Sequence, residues 1–342
     1  MIKKGIKQGS AFVLTTVLTF GAIILPNVRA ALEVDTAAEC SVQVNVTGCS
    51  FKELNGMDPQ VAAIPVTVDL YKIADIDVEG DYTVVSSLET LDFSEMDSET
   101  SASDWEALAL AAKAEVDAKV EAGQMAVTAT GATQDGVVTF TDLATGLYLV
   151  DAGRVLSDYY QYDFTPYLIS LPNNYYYDTS DDTWVYDLTG SNAIGLKPSK
   201  SDRYGDLKID KLLDAYNETI GGANFVFQIE GSKTDIDTGD VKVVYSDVSA
   251  MTFKNPGTDS LVIEDIPAGS VMTVTEVYSG AGYELTSDAS KTVTILAENT
   301  VETDFVNTYN EKLNGGTGLV NTFSYNSDKE EWTHSAAEDS TP

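Results

Sequence analysis

The chain has 342 residues, enough for two domains with additional segments, and carries 54 acidic against 20 basic side chains. A formal net charge of −34 repels nucleic-acid phosphates and anionic membranes, so neither is expected as a partner. The acidic excess reads as the solvated surface of a soluble extracellular protein.

The first residues are basic (Lys3, Lys4, Lys7), an apolar run follows from Ala11 to Leu25, and Val28-Arg29-Ala30 closes the segment. That order marks residues 1–30 as a secretory signal peptide cut after Ala30. The apolar run is short for a membrane span. With the signal removed, four basic residues and no acid are lost, and the remainder carries −38. Secretion permits a disulfide between Cys40 and Cys49. Ser41 to Thr47, however, alternates like a strand, and a straight strand holds the two sulfurs too far apart, so the expectation is against the bond.

Residues 31–201 read as a β-rich N-terminal domain with one short helical insertion. Ile64–Ala74 has the pattern of a strand, with Pro65 at its beginning. Ser103-Asp-Trp-Glu106 has the form of a capping box, and Trp105, Leu108, Ala112, Val116 and Val120 follow at helical spacing as a packing face that ends at Gly123. Gly136–Gly146 and Leu147–Val150 read as paired strands joined by a turn. Beyond them lie Phe164–Pro172, the tyrosine-rich Asn173–Tyr177 and Trp184–Leu188, whose aromatics are expected in the core and in cross-strand pairs. Pro198–Asp202 reads as a linker, residues 203–310 as a C-terminal domain, and residues 311–342 as a polar tail with one candidate strand at Leu319–Phe323. No apolar span follows Gly318, so no C-terminal membrane anchor is expected.

The chain contains an internal echo. Thr141-Asp-Leu-Ala-Thr-Gly146 before Leu147–Val150 matches Glu264-Asp-Ile-Pro-Ala-Gly269 before an alternating strand. Two copies this far apart indicate two related sandwich domains in tandem and an all-β fold, not a short-period solenoid. The strand after the second copy carries Glu276 among β-branched and aromatic residues. If inward-facing, it is a buried acid that must be neutral, paired or reactive. Candidate company comes from the lysines of Gly205–Lys211 and the asparagine of Thr303–Tyr309. A lysine, an acid and an asparagine on three strands of one sandwich have the makings of an intramolecular isopeptide bond. Lys208 and Lys211 stand three apart, so alternation lets only one of them face Glu276. Asn321, in the near-duplicate Val320–Phe323, is a rival to Asn307. The first domain has neither a lysine in Ser41–Thr47 nor a glutamate matching Glu276, since its corresponding stretch runs Asp151-Ala-Gly153. Cross-linking chemistry is therefore expected in the second domain alone.

Taken together, Leu70–Ala74, Asp142–Val150 and Phe164–Pro172 in the first domain, with Gly205–Lys211, Phe225–Phe227, Asp265–Gly269, Val274–Glu276, Gly282-Tyr283 and Phe305–Tyr309 in the second, make the chain resemble the sortase-assembled fimbrial subunits (pilins) of Gram-positive bacteria. The order and spacing of these pieces carry the resemblance, each being weak alone. It implies Cna-B-type, immunoglobulin-like sandwiches, a place on the cell surface or in a fimbrium, and other pilin subunits and a sortase as partners. It also implies that Lys211 attacks the side-chain amide of Asn307 while Glu276 serves as the acid. Shaft subunits of that family carry a Tyr-Pro-Lys-like motif whose lysine is joined to the next subunit. The candidates here are Lys197 and then Lys200, and neither follows Tyr-Pro. The usual sorting signal is not seen in this sequence. That departure keeps a second reading open: a secreted or surface-associated adhesin, not polymerised by sortase, with a host or microbial surface ligand.

Other chemistries find little support. Asp235-Ile-Asp-Thr-Gly-Asp240 has the start of a calcium loop, but its twelfth position is Ser246 where a bidentate glutamate is needed, so a turn of solvated acids is expected. The one histidine, His334, supports neither a triad nor a zinc site, and no phosphate-binding loop is present. The expectation is a protein without cofactor or metal, and not a turnover enzyme.

Overall fold

The computed structural model describes residues 33–88, 90–93, 100–174, 183–219, 221–312 and 321–336. Residues 1–30, expected to be a signal peptide, and Tyr175–Tyr177 lie outside the described residues. The chain divides into two compact units, one of residues up to Ser157 with Gln161–Ser201, the other of Asp158–Tyr160 with the residues from Asp202 on. Both are all-β. Among the described residues no helix is long and apolar enough to cross a membrane.

In the first unit, one sheet is built on β1 (Glu39–Asn45), which lies parallel to β12 (Asp187–Leu188) and β13 (Ile194–Gly195) and antiparallel to β5 (Val137–Ala144). A second has the order β3 (Tyr82–Val84), β2 (Thr67–Ile76), β6 (Gly146–Ala152), β9 (Tyr167–Leu171), with β4 (Ala129–Ala132) also paired to β2. Smaller sheets join β14 (Pro198–Asp202), β8 (Tyr160–Phe164) and β7 (Val155–Leu156), and β10 (Asn173–Asn174) with β11 (Trp184–Val185). Pro198–Asp202, read as a linker, has the conformation of a strand. Its alternation was hidden by a composition of Pro, Ser, Lys and Asp.

Besides the one-turn helix α1 (Lys52–Asn55), the unit contains α2 (Ala102–Glu121), twenty residues long. Its cap is Ser101, two residues before the expected one, whose side chain accepts from the Asp104 backbone N–H at 3.3 Å. The helix packs on β6 and β9. Ala109, Ala112 and Val116 are buried there, and two of these three side chains are methyl groups that let the helix approach the sheet closely. Val120 lies beyond that contact and is exposed.

In the second unit, two four-stranded sheets make the sandwich. One has the order β18 (Gly257–Pro267), β15 (Tyr204–Leu213), β22 (Thr300–Tyr309), β20 (Tyr283–Leu285). The other has the order β17 (Val241–Phe253), β16 (Ala223–Thr234), β19 (Val271–Tyr278), β21 (Ser290–Thr294). Leu207, Ile209, Phe225, Phe227, Ile229, Met272, Val274 and Phe305 fill the space between them. Their alternation with less buried residues along β15, β16 and β19 is the two-residue period of half-buried strands. The tail forms a hairpin of two strands, β23 (Asn321–Asn326) and β24 (Glu331–Ala336), rather than a single strand.

The internal echo has one structural meaning in both units. Asp142 and Asp265 adopt positive φ, 58° and 59°. Each sits in a bulge where the strand pairs with the first strand of its unit: register shifts between Cys40 and Val42 in one and between Gly205 and Leu207 in the other. The chain then passes to the other sheet. β5 and β6 are therefore not a hairpin, as their sequence suggested. β5 pairs with β1 and β6 with β2, and β18 and β19 divide in the same way.

Candidate functional site

Strand alternation decides which lysine turns inward. On β15, Leu207, Ile209, Lys211 and Leu213 are buried, while Lys208 lies on the other side, paired with Asp210 at 3.0 Å and Glu302 at 3.2 Å. On β22 the inward residues are Thr303, Phe305 and Asn307, and on β19 they are Met272, Val274 and Glu276. β15 and β22 run parallel, with Lys211 opposite Phe305 and Leu213 opposite Asn307. Lys211 and Asn307 are thus diagonal neighbours in one sheet, and Glu276 reaches them from the facing sheet. Asn321 opens the tail hairpin, in neither sheet of the sandwich.

The three side chains meet. The Lys211 amine donates to Glu276 Oε2 at 3.0 Å and to Asn307 Oδ1, and Asn307 Nδ2 donates to Glu276 Oε1 at 2.7 Å. Lys211 and Asn307 are 0% exposed and Glu276 6%, with none of the carboxylate side chain in contact with solvent. Phe225 lies under the amine, its ring centroid 4.5 Å from Nζ. Phe227 and Phe305 meet edge to face at 5.2 Å nearby. Burial pulls the Lys211 pKa below the usual lysine range, and the hydrogen bond and charge of Glu276 oppose that shift in part. Ionised groups buried this deeply cost several kcal/mol each to desolvate, so chemistry that replaces them with a neutral amide is favoured by the surroundings.

The first unit lacks this constellation for a reason the register makes plain. The matching bulges align Val42 with Leu207, which sets buried Val46 in the place of Lys211. Val44 pairs with Ile194 as Ile209 pairs with Thr303, and carrying that register forward puts Pro198 where Asn307 stands. In the stretch matching Glu276, Asp151 is turned to α2 and bonded to Lys113 at 2.7 Å.

Lys197 and Lys200 lie elsewhere in the first unit. Lys197, between β13 and β14, is half-buried with its amine 5.3 Å from the Tyr167 ring centroid, and burial lowers its pKa against an opposing pull from Glu106. Lys200, on β14, stands 5.6 Å from the ring centroid of Phe51. No disulfide joins Cys40 and Cys49. Cys40 is buried on β1, which pushes its thiol pKa up to about 11. Asp235 spends its carboxylate on the backbone N–H groups of Asp237 and Thr238, at 2.9 and 3.1 Å, which makes the acidic loop a self-satisfied turn. Among the described residues no cluster of three or more His, Cys, Asp or Glu is arranged to hold a metal ion.

Comparison with known proteins adds the following. Residues 207–310, which include all three members of the buried cluster, match a family model described as a domain of unknown function, DUF5979. No curated protein matches the chain. Among solved structures, the chain is similar to a streptococcal ancillary pilin at 14% identity, over 80% of this chain and 69% of that one, with a TM-score of 0.26. It is similar to the minor pilin of Streptococcus agalactiae at 14% identity, over 82% of this chain and 100% of the other, with a TM-score of 0.22. It is also similar to a shaft pilin of Lactobacillus rhamnosus at 13% identity, over 81% and 100%, with a TM-score of 0.26.

Proposed function

We propose that this chain is a secreted structural subunit of a Gram-positive surface fimbria, and that its second unit ties itself with an isopeptide bond between Lys211 and Asn307. The observation that carries this is a lysine amine, a carboxyl group and a primary amide enclosed together in an apolar core. Burial raises the share of neutral, nucleophilic amine, and fixed proximity replaces the encounter that makes amine attack on amides slow in water. The contacts of Glu276, one oxygen on the amine and the other on the amide nitrogen, support a role as proton carrier. The Lys211 lone pair attacks Asn307 Cγ, Glu276 takes a proton from Nζ and delivers it to Nδ2, the Cγ–Nδ2 bond breaks, and ammonia leaves. A secondary amide remains between the two side chains. The event happens once per chain, which is not turnover.

A tie between the first and last strands of a sandwich suits a load-bearing filament. Other pilin subunits, joined by a sortase, are the proposed partners, with Lys197 first and Lys200 second as the acceptor amines. The half-burial of Lys197 favours the second reading, a surface-associated adhesin that sortase does not polymerise. Co-expression with a sortase and a sorting-signal-bearing pilin decides between them. The fimbrial reading expects a high-mass ladder on immunoblots that is lost in the Lys197→Arg, Lys200→Arg double variant. Monomer alone in every lane supports the adhesin.

A further inference from the structure

We infer that Phe225 is a positioning residue for bond formation, its ring face turning the lone pair of the Lys211 amine onto the Asn307 carbonyl. The inference rests on the isopeptide reading and adds a group that reading does not use. Around Nζ the structure provides three contacts: Glu276 Oε2 at 3.0 Å, Asn307 Oδ1, and the Phe225 ring at 4.5 Å from its centroid. An ammonium has three N–H donors, and these contacts satisfy all three. A neutral amine keeps two N–H groups and one lone pair. With the carboxyl oxygen and the negative ring face each taking an N–H, the lone pair falls on the remaining side, which is the amide of Asn307.

The same face helps again as the reaction proceeds. When the new C–N bond forms, Nζ gains positive charge and holds it until Glu276 removes the proton. An electron-rich ring beneath the nitrogen stabilises that charge among side chains closed to bulk solvent. The ring is held for this task. Phe225 is fully buried and braced edge to face by Phe253 at 5.6 Å and 78° and by Tyr283 at 5.9 Å and 68°. Tyr283 is braced in turn by Tyr309, at 6.2 Å. Glu276 of β19 is the titratable group in contact with the amine. β16 presents Phe225, and β22 presents neutral Asn307 and Phe305. On β18, Asp259, opposite Lys211 in register, is exposed.

The test is Phe225→pentafluorophenylalanine in the full chain, which keeps the ring's shape and reverses the charge of its face. Unreacted protein, dissolved from inclusion bodies in urea, is refolded at acid pH, where the amine is protonated. It is then jumped to a series of higher pH values while the loss of ammonia is followed by intact mass. The expected result is a plateau rate lower by about tenfold, with an inflection displaced to lower pH because the ring no longer favours the ammonium. Phe225→Leu, which removes the ring, is expected to slow the plateau as well. A fluorinated variant with the wild-type plateau and inflection overturns the inference and leaves Phe225 as packing. A wild-type chain that never loses mass overturns the isopeptide reading itself, a distinguishable outcome.

Discussion

Glu276→Gln preserves the shape of the side chain and an acceptor for Asn307 Nδ2, but removes the group that carries the proton. The variant is expected to fold and to keep its ammonia. The size of the consequence follows from the loop the bond closes. Lys211 and Asn307 are 96 residues apart, and a cross-link over that separation restricts the unfolded chain by about 4.7 kcal/mol on the entropy model. For a sandwich of roughly 110 residues, with an unfolding entropy of about 0.23 kcal/mol/K, that is a fall in Tm of about 20 °C. In the variant, the unreacted Lys211 amine is left in the core without a carboxylate partner, and that cost adds to it. Lys211→Met, which abolishes the bond and leaves no ammonium in the core, separates the two contributions. The assay is differential scanning calorimetry of samples whose intact masses are measured in parallel. A Glu276→Gln chain still lighter by one ammonia, or a full-mass chain melting within a few degrees of wild type, refutes the reasoning.

Four further outcomes are expected. Bond formation is to accelerate with pH and level off below about 10.4, the ordinary lysine value, because burial lowers the Lys211 pKa and the neutral amine is the nucleophile. In the uncrosslinked Glu276→Gln chain, a lowered folded pKa means that the unfolded state binds the proton more tightly. Stability should therefore rise with pH through the window between the two values, as read from urea unfolding. Lys208→Ala is to leave the mass deficit intact, since Lys208 faces Asp210 and Glu302 outside the core; a full-mass product in that variant reassigns the nucleophile. Pulled from Asp202 and Asn310 in a force spectrometer, the sandwich is to lengthen without releasing residues 212–306, so about 330 Å of contour stays hidden. Glu276→Gln should release it.

Much of the site was legible because strand alternation is local. The two-residue period puts Lys208 and Lys211 on opposite faces, while the choice of Lys211, with Glu276 and Asn307, came from the family resemblance. The bulged crossing was half-legible: the Asp-aliphatic-x-x-Gly echo was visible, but not that Asp142 and Asp265 adopt positive φ and carry the chain to the facing sheet. That depends on pairing with β1 and β15, strands about a hundred and sixty residues apart from each other in sequence and each distant from its partner, and no local pattern encodes it. The cap of α2 moved from Ser103 to Ser101 because Asp104 gives Ser101 the same three-residue spacing, and the Ser101 side chain accepts from the Asp104 N–H. The brace of Phe225 by Phe253 and Tyr283 lay beyond reach for a related reason. Aromatic residues on three strands have no sequence signature that they share one corner of a core.

The most direct measurement is the intact mass of the purified mature chain, recorded under reducing conditions. The account predicts a mass below the sequence value by about 17 Da, one expelled ammonia, with the deficit mapping to a branched peptide that joins Lys211 to Asn307. The full sequence mass would contradict it.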